Sequence, residues 1–443
     1  MRSIVWAIAL AACNSGAITE TDTPLDPGSE TSSDTGSDTA SDTGSDTSSD
    51  TDSDTSAPVR WYDPGLPYRV SLELHHDAAL AHQVATPFVD FRATLDAFGE
   101  PAALDPGSLR AVYWADPTTP VVLPSQFLDG HTDLFAPLPD SDVLGDDRGV
   151  VALVLAALPN TTDATVELYF NTGAPTVPPA PAFPATATAG TLATGDLLAE
   201  FDDQRGGLLS ALYLADSPSL TSQADSLYGN GLNSKAPPNA WKITPQGAPG
   251  QLTPLASGPV VAGLSATGAR ADDQSAYSYR FDYWVFADQP ILWMKVVQQA
   301  TQDSLEEHID DFTRGIRPWQ SRQDAIVDGG SVRRTTAPDG RWVSVDNATW
   351  GLGVAWLQPP AYPTATLNVE DTGVGQAHYY FAFLANDYAA STGQTPGTIP
   401  QGTRFLDHDI AAIVPYVPSA DPSAQLEPML APVTVVVGAA EAL

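Results

Sequence analysis

Cysteine, methionine and lysine are nearly missing from this chain of 443 residues, which has one Cys, three Met and three Lys. A lone thiol excludes an intrachain disulfide framework and any Cys-rich metal site. Basic residues are scarce as a class, 19 Lys and Arg against 54 Asp and Glu, for a formal net charge of −35. Such a body repels nucleic acid and anionic lipid, so no nucleic-acid partner is expected. Common catalytic signatures are absent too: there is no G-x-S-x-G elbow, P-loop, dinucleotide fingerprint, HExxH or EF-hand pattern. No helix of more than two or three turns is expected anywhere. Nothing in the sequence specifies an oligomeric state.

The single cysteine is informative by position. Met1 to Ala12 carries one positive charge, Arg2, and an apolar run from Ile4 to Ala12 that is too short to span a bilayer. Cys13 follows Leu10-Ala11-Ala12, small residues of the kind found at a processing site. LAAC resembles the lipobox of a bacterial lipoprotein signal. That resemblance implies cleavage after Ala12, diacylation of Cys13 and a lipid membrane as partner. With Asn14 next, it also implies sorting to the outer membrane. Residues 14 to 57 hold eleven acidic residues and no Lys or Arg, with an SDTG-type repeat from Ser33 to Ser48. Lacking apolar side chains and carrying like charges, this stretch is expected to be an extended tether over 13–57.

Beyond the tether the patterning is that of strands. The densest stretch is Tyr277 to Gln299, YSYRFDYWVFADQPILWMKVVQQ. Tyr277, Tyr279, Phe281, Tyr283 and Val285 fall on one face, and Arg280, Asp282, Trp284 and Phe286 on the other. Ala287-Asp288-Gln289-Pro290 supplies a turn into a second strand. A hairpin apolar on both faces predicts the middle of a stacked-sheet body, not an edge.

Upstream, Tyr68 to Leu74 alternates with Tyr68, Val70, Leu72 and Leu74 inward. Phe88 to Phe98 fits either a short helix or a strand that breaks. Val121 to Phe127 reads as an edge strand, because Pro124 removes a ladder donor. Val150 to Leu158 is a continuous apolar run, and Thr165 to Phe170 alternates. These predict a β-sandwich over 58–172, then a Pro/Ala-rich linker over 173–190 and a larger body over 191–443. In that body Ser304 to Ile309 is expected to make one helical turn, and Val433 to Val437 a last strand. The fold class expected is all-β, an N-terminal sandwich followed by a larger two-layer β-supersandwich.

Two further resemblances rest on specific segments. YRVSLEL, FVDFRATLDAFG, LDPGSLRAVYW, VVLPSQF and VELYF, together spanning Tyr68 to Phe170, look like a sandwich module found beside catalytic or binding domains in secreted bacterial polysaccharide-degrading proteins. FDDQRGGLLSALYL, GPVVAGLSATG and the central hairpin resemble the β-supersandwich of galactose-mutarotase-like domains. That fold occurs in carbohydrate epimerases, in polysaccharide lyases and in non-catalytic accessory domains, so it implies sugar contact more than a reaction. The catalytic histidines of that family have no matching positions here.

The polar stretch from Glu306 to Trp319 is the strongest chemical candidate. Guanidinium groups of Arg314 and Arg317 suit a sugar carboxylate, and the indole of Trp319 suits a pyranose face. In β-elimination from a uronate, His308 or Tyr279 would remove the C5 proton. The plainer alternative is that these charges cap a loop and Trp319 belongs to a local core. His75-His76-Asp77 and Asp407-His408-Asp409 lack the ligand number that zinc needs. Asp346-Asn347 and Glu370-Asp371 offer oxygen ligands of the kind calcium takes. No other cofactor is implied. Three functions therefore stand: a surface carbohydrate-binding or structural lipoprotein using Trp319, Trp350 or Tyr362 as stacking groups, a polysaccharide lyase, and an assembly or adhesion factor without a sugar ligand.

Overall fold

The computed structural model describes residues 60–443 except 81–82, 135–144, 174–175, 177–179, 182–183, 196, 215–230, 237–239, 244–248, 272–275, 307, 317–331, 337–341, 348–351, 358–364, 372–378, 386–396, 417–421 and 431. Val59–Leu443 forms one compact unit. It is all-β, a sandwich-like N-terminal part followed by a larger multi-sheet supersandwich.

The hairpin read from the aromatic alternation is present. Ala276–Phe286 and Leu292–Ala300 pair antiparallel over eight residue pairs. The turn between them holds Asp288 at φ 59° and closes with Gln289 N–H donating to Phe286 O at 3.2 Å. An Asp tolerates that left-handed position better than most residues with a Cβ. The two strands stand third and fourth in an eight-stranded sheet, and Phe281 to Phe286 is buried without interruption. One face packs on a four-stranded sheet through Phe201, whose ring centroid lies 4.5 Å from that of Tyr283.

In the N-terminal part, Tyr68–His75 alternates as expected, with Val70, Leu72 and Leu74 buried. Phe88–Phe98 is both things its spacing allowed: a strand Phe88–Asp90 followed by a helix Phe91–Ala97. Asp90 caps that helix by accepting from Ala93 N–H at 2.8 Å, and Phe91 and Leu95 face inward. Val121–Phe127 is not one edge strand. Pro124 divides it into Thr119–Leu123, in one sheet, and Ser125–Asp129, paired in another, because a residue without an N–H is a natural place to leave a ladder.

The apolar run at 150–158 has a specific cause. In Arg148–Val154 the side chains of Val150, Ala152 and Val154 join the core around the central hairpin, while Val151 and Leu153 join the core of the N-terminal sandwich. A strand buried on both faces has no polar side to present. Gln126 adds a polar pin at the same junction, its Oε1 accepting from Val260 N–H at 2.9 Å and Val261 N–H at 3.0 Å. The boundary drawn near residue 172 therefore does not separate two independent cores.

Two expectations are corrected. Thr434–Ala442 belongs to the N-terminal sheet, hydrogen-bonded to Tyr68–His75, although local pattern placed it with the larger body. Ser304–Ile309 is not a helical turn; Ser304–Glu306 and His308–Ile316 are strands. Their partners are Gly397–Ile399, Gly231–Ala236 and Tyr379–Ala385, all distant in sequence, so tertiary pairing overrides a weak local preference. A helix at Ser423–Leu430, which carried no clear periodic signal, packs Leu426 into the core.

Candidate functional site

The most distinctive described surface chemistry lies on the face of the eight-stranded sheet that carries Trp284. Directly paired residues of antiparallel strands project to the same side. Register therefore places Gly263, Trp284 and Trp293 in a row on three adjacent strands, with Leu357 and Trp342 paired further along the same sheet. Trp284 and Trp342 are each 1% exposed, whereas Trp293 between them is half-buried. Gly263 is required beside Trp284, since a Cβ there would lie 2.4 Å from the indole ring. His131 covers Trp284 from the N-terminal sandwich, edge to face at 5.6 Å and 87°. On the other flank Leu426 and Met429 pack with Trp342, Leu357 and Trp293.

Two residues along the same strands lies a charged row. Ser265, Asp282 and Lys295 are paired in register, and all three are buried. The Asp282 carboxylate accepts Ser265 Oγ–H at 2.7 Å, Arg280 Nε–H at 2.9 Å and Arg280 Nη2–H at 2.7 Å. The fork-on-carboxylate geometry fixes both partners. Asp282 is 1% exposed, while a third of the Arg280 side chain reaches the surface. A fixed, mostly buried polar edge thus borders a half-buried tryptophan whose Nε1 is itself buried.

The outer face of the N-terminal sheet also carries aromatics, but its indoles are occupied by the chain itself. Arg60 stands 4.3 Å over the Trp114 ring and Arg69 4.7 Å over the Trp61 ring. Arg69 in turn bridges Glu441 at 2.6 Å and Glu167 at 3.3 Å, and Trp114 Nε1–H donates to Glu167 at 2.8 Å. This is a staple holding the entry of the folded body against its last strand.

The residues expected from sequence fare unevenly. Tyr279 is placed in the core and not in a site: it is 3% exposed and its ring lies across Gly268, where a Cβ would be 2.1 Å from the hydroxyl. Its hydroxyl has no hydrogen-bond partner, and desolvation pushes its pKa up to about 12. Burial in the core thus keeps that phenol protonated well above neutrality. His308 and Arg314 share the strand His308–Ile316 in a five-stranded sheet, a different sheet from that of Tyr279. Arg317, Trp319, Trp350, Tyr362 and Cys13 lie outside the described residues. Asp346-Asn347 closes one strand of the eight-stranded sheet and Glu370-Asp371 one strand of the five-stranded sheet.

His75 and His76 diverge, as consecutive residues leaving a strand do. His75 is exposed, with Nδ1 2.7 Å from Asp163 Oδ1, and that bond holds its pKa above the ordinary value. His76 is 1% exposed and accepts Ala78 N–H at 3.1 Å. Among the described residues no group of three or more His, Cys, Asp or Glu is arranged to hold a metal ion. No helix among them is long and apolar enough to cross a membrane.

Sequence reasoning missed the Trp293 row, though a signal existed. With a hairpin turning at 287–290, positions equidistant from the turn must pair, which brings Trp284 to Trp293 and Asp282 to Lys295.

No protein-family model matches the chain, and no curated protein matches it in sequence. Solved structures do resemble it. A protein of glycosyl hydrolase family 38 from Enterococcus faecalis superposes with a TM-score of 0.51 at 9% identity, covering 84% of this chain and 47% of that one. An alpha-mannosidase from Enterococcus faecalis V583 superposes with a TM-score of 0.46 at 11% identity, covering 84% and 46%. The chain spans about half the length of these proteins. At such identity the likeness to the first is one of fold.

Proposed function

We propose that this chain is a lipid-anchored, non-catalytic carbohydrate-binding protein whose described glycan site is the Trp293 face of the central sheet. The observation that carries this reading is the half-buried Trp293 indole set between two buried tryptophans and bordered by the Asp282–Arg280–Lys295 row. An indole supplies a stacking surface for a pyranose, and the exposed third of the Arg280 side chain, held in place by the buried Asp282, is the part of the charged row that can reach a hydroxyl. The fold shared with a family 38 glycosyl hydrolase protein is in keeping with a sugar ligand, as are the segments resembling polysaccharide-degrading proteins. Asp282 already receives three hydrogen bonds from its neighbours, which suits an orienting role better than proton transfer.

Cys13, acylated, would hold the body at an outer membrane through the acidic tether of residues 14–57. The support for the anchor is LAAC directly after the apolar run, and Cys13→Ser should release the protein from the membrane fraction. Uronate β-elimination has less behind it, because Tyr279 lies in the core and leaves His308 as the remaining candidate base.

The test is a glycan array probed with the full chain, with Trp293→Ala and with Trp293→Phe. The wild type and the Phe variant should retain glycans, and the Ala variant should lose at least tenfold in signal while unfolding cooperatively. Retention undiminished in Trp293→Ala would remove this face from the function.

A further inference from the structure

The strand Thr434–Ala442 stands at one rim of the five-stranded N-terminal sheet, beside Tyr68–His75. Among the described residues no strand pairs with its far side, and most of its residues are exposed. A row of backbone N–H and C=O groups is therefore left for another strand to take. Register fixes where the side chains point. Val435, Val437 and Ala440 stand opposite Leu74, Leu72 and Val70, all buried, and so project to the core side of the sheet. Val435 and Ala440 pack against that core, yet Val437 is 42% exposed. The core is thus open where the sheet stops. Val436, opposite the exposed Glu73, projects the other way and is 55% exposed.

Sheet rims are commonly blunted by Lys, by Pro or by a bulge. The opposite rim of this sheet, Thr119–Leu123, carries Pro120. Thr434–Ala442 has no Lys, Arg or Pro, and its one charged residue, Glu441, is held by Arg69 at 2.6 Å. A register shift does fall between Val437 and Ala440, where a Cβ on Gly438 would lie 2.2 Å from Ser71 Oγ. It leaves Thr434–Val437 in regular register.

We propose that Thr434–Ala442 is a self-association strand, along which two copies of this chain pair antiparallel and continue the N-terminal sheet across a two-fold axis. The strand that closes this rim must be apolar on its core side and bring no like charge, and the rim strand itself meets both conditions. A two-fold axis normal to the sheet keeps the core side of each copy facing the same way. With Val436 on that axis, Val437 of each copy stands beside Val435 of the other on the core side, and the two Glu441 lie at opposite ends. The interface is small, below the roughly 1,000 Å² of a stable complex, so the dimer is weak. Each chain carries a formal charge of −35, so the copies repel and salt strengthens the pairing. The proposal holds whether or not the chain binds a glycan.

Sedimentation velocity of the full chain over about 1 to 300 µM, at low and high salt, tests it. Monomer should give way to dimer as concentration rises, with a dissociation constant at least threefold lower at about 0.5 M salt than at about 0.05 M. Val436→Lys should weaken the dimer at least tenfold, although it reduces the net negative charge. Thr119→Lys, the same charge on the opposite rim, should leave it within twofold. Amides of 434–442 in the wild type should exchange more slowly at the higher concentration, a readout that does not depend on any variant folding. A monomer throughout the range, unchanged exchange at 434–442, or a dimer indifferent to Val436→Lys would overturn the proposal. Growth beyond the dimer would do the same, because two-fold pairing closes on itself.

Discussion

Asp282 and Arg280, two positions apart on one strand, are joined by a bidentate pair, with Nε and Nη2 at 2.9 and 2.7 Å from the two carboxylate oxygens. The carboxylate is buried in the middle of the largest sheet, and Lys295 faces it from the next strand. Removing one partner from such a pair strands the other charges out of water. Asp282→Ala should therefore lower the unfolding free energy by about 3 kcal/mol or more, read by urea denaturation. Asp282→Asn should cost less, because an amide still accepts from Ser265.

Tyr279 gives a prediction of opposite character. Its hydroxyl is buried and without a partner, so Tyr279→Phe should leave stability near pH 7 unchanged or raised. The sign at high pH follows from its pKa, about 12 in the folded protein against 10.0 ordinarily. Between those values the unfolded chain loses its phenolic proton while the folded chain keeps it. Stability is thus full below pH 10 and declines as pH rises toward 12. Melting temperatures across that window should fall less steeply in the Phe variant.

Gln126 ties the N-terminal sandwich to the turn before the central hairpin. Gln126→Ala leaves the N–H groups of Val260 and Val261 without their acceptor and should destabilise by about 2 kcal/mol. Gln126→Glu keeps acceptor oxygens and should recover most of that loss. A single cooperative transition in each variant is expected, since the two sandwiches share the core that includes Val150 and Phe281.

His75 is exposed and bonded to Asp163, which raises the histidine pKa and lowers that of the aspartate. Its contribution to stability is present below the ordinary value of 6.5 and fades as pH rises through the raised one. An NMR titration should place His75 above 6.5, and Asp163→Asn should bring it back.

How much of this was readable in the chain depended on whether the cause was local. Alternation from Tyr277 to Val285 identified the hairpin, and its burial on both faces followed from aromatics on both. The run at 150–158 was visible, but not that two cores share it, because the second core is made by residues a hundred positions later. Ser304–Ile309 was misread for the same reason: Ser304–Glu306 pairs with Gly397–Ile399, and His308–Ile316 with the two distant strands Gly231–Ala236 and Tyr379–Ala385. Thr434–Ala442 looks like any apolar strand, and only pairing with Tyr68–His75 decides its sheet. The burial of Tyr279 was not legible, because a period-two pattern tells which residues share a face and not which face meets solvent.

The central claim, that Trp293 floors a sugar site, is tested most directly by matched substitution of two half-buried indoles. Trp293→Ala and Trp114→Ala should be compared for retention of whichever glycan the wild type binds. The account predicts loss of at least tenfold with Trp293→Ala and a change within twofold with Trp114→Ala, whose ring is already covered by Arg60. Equal losses in the two, or loss only with Trp114→Ala, would contradict it.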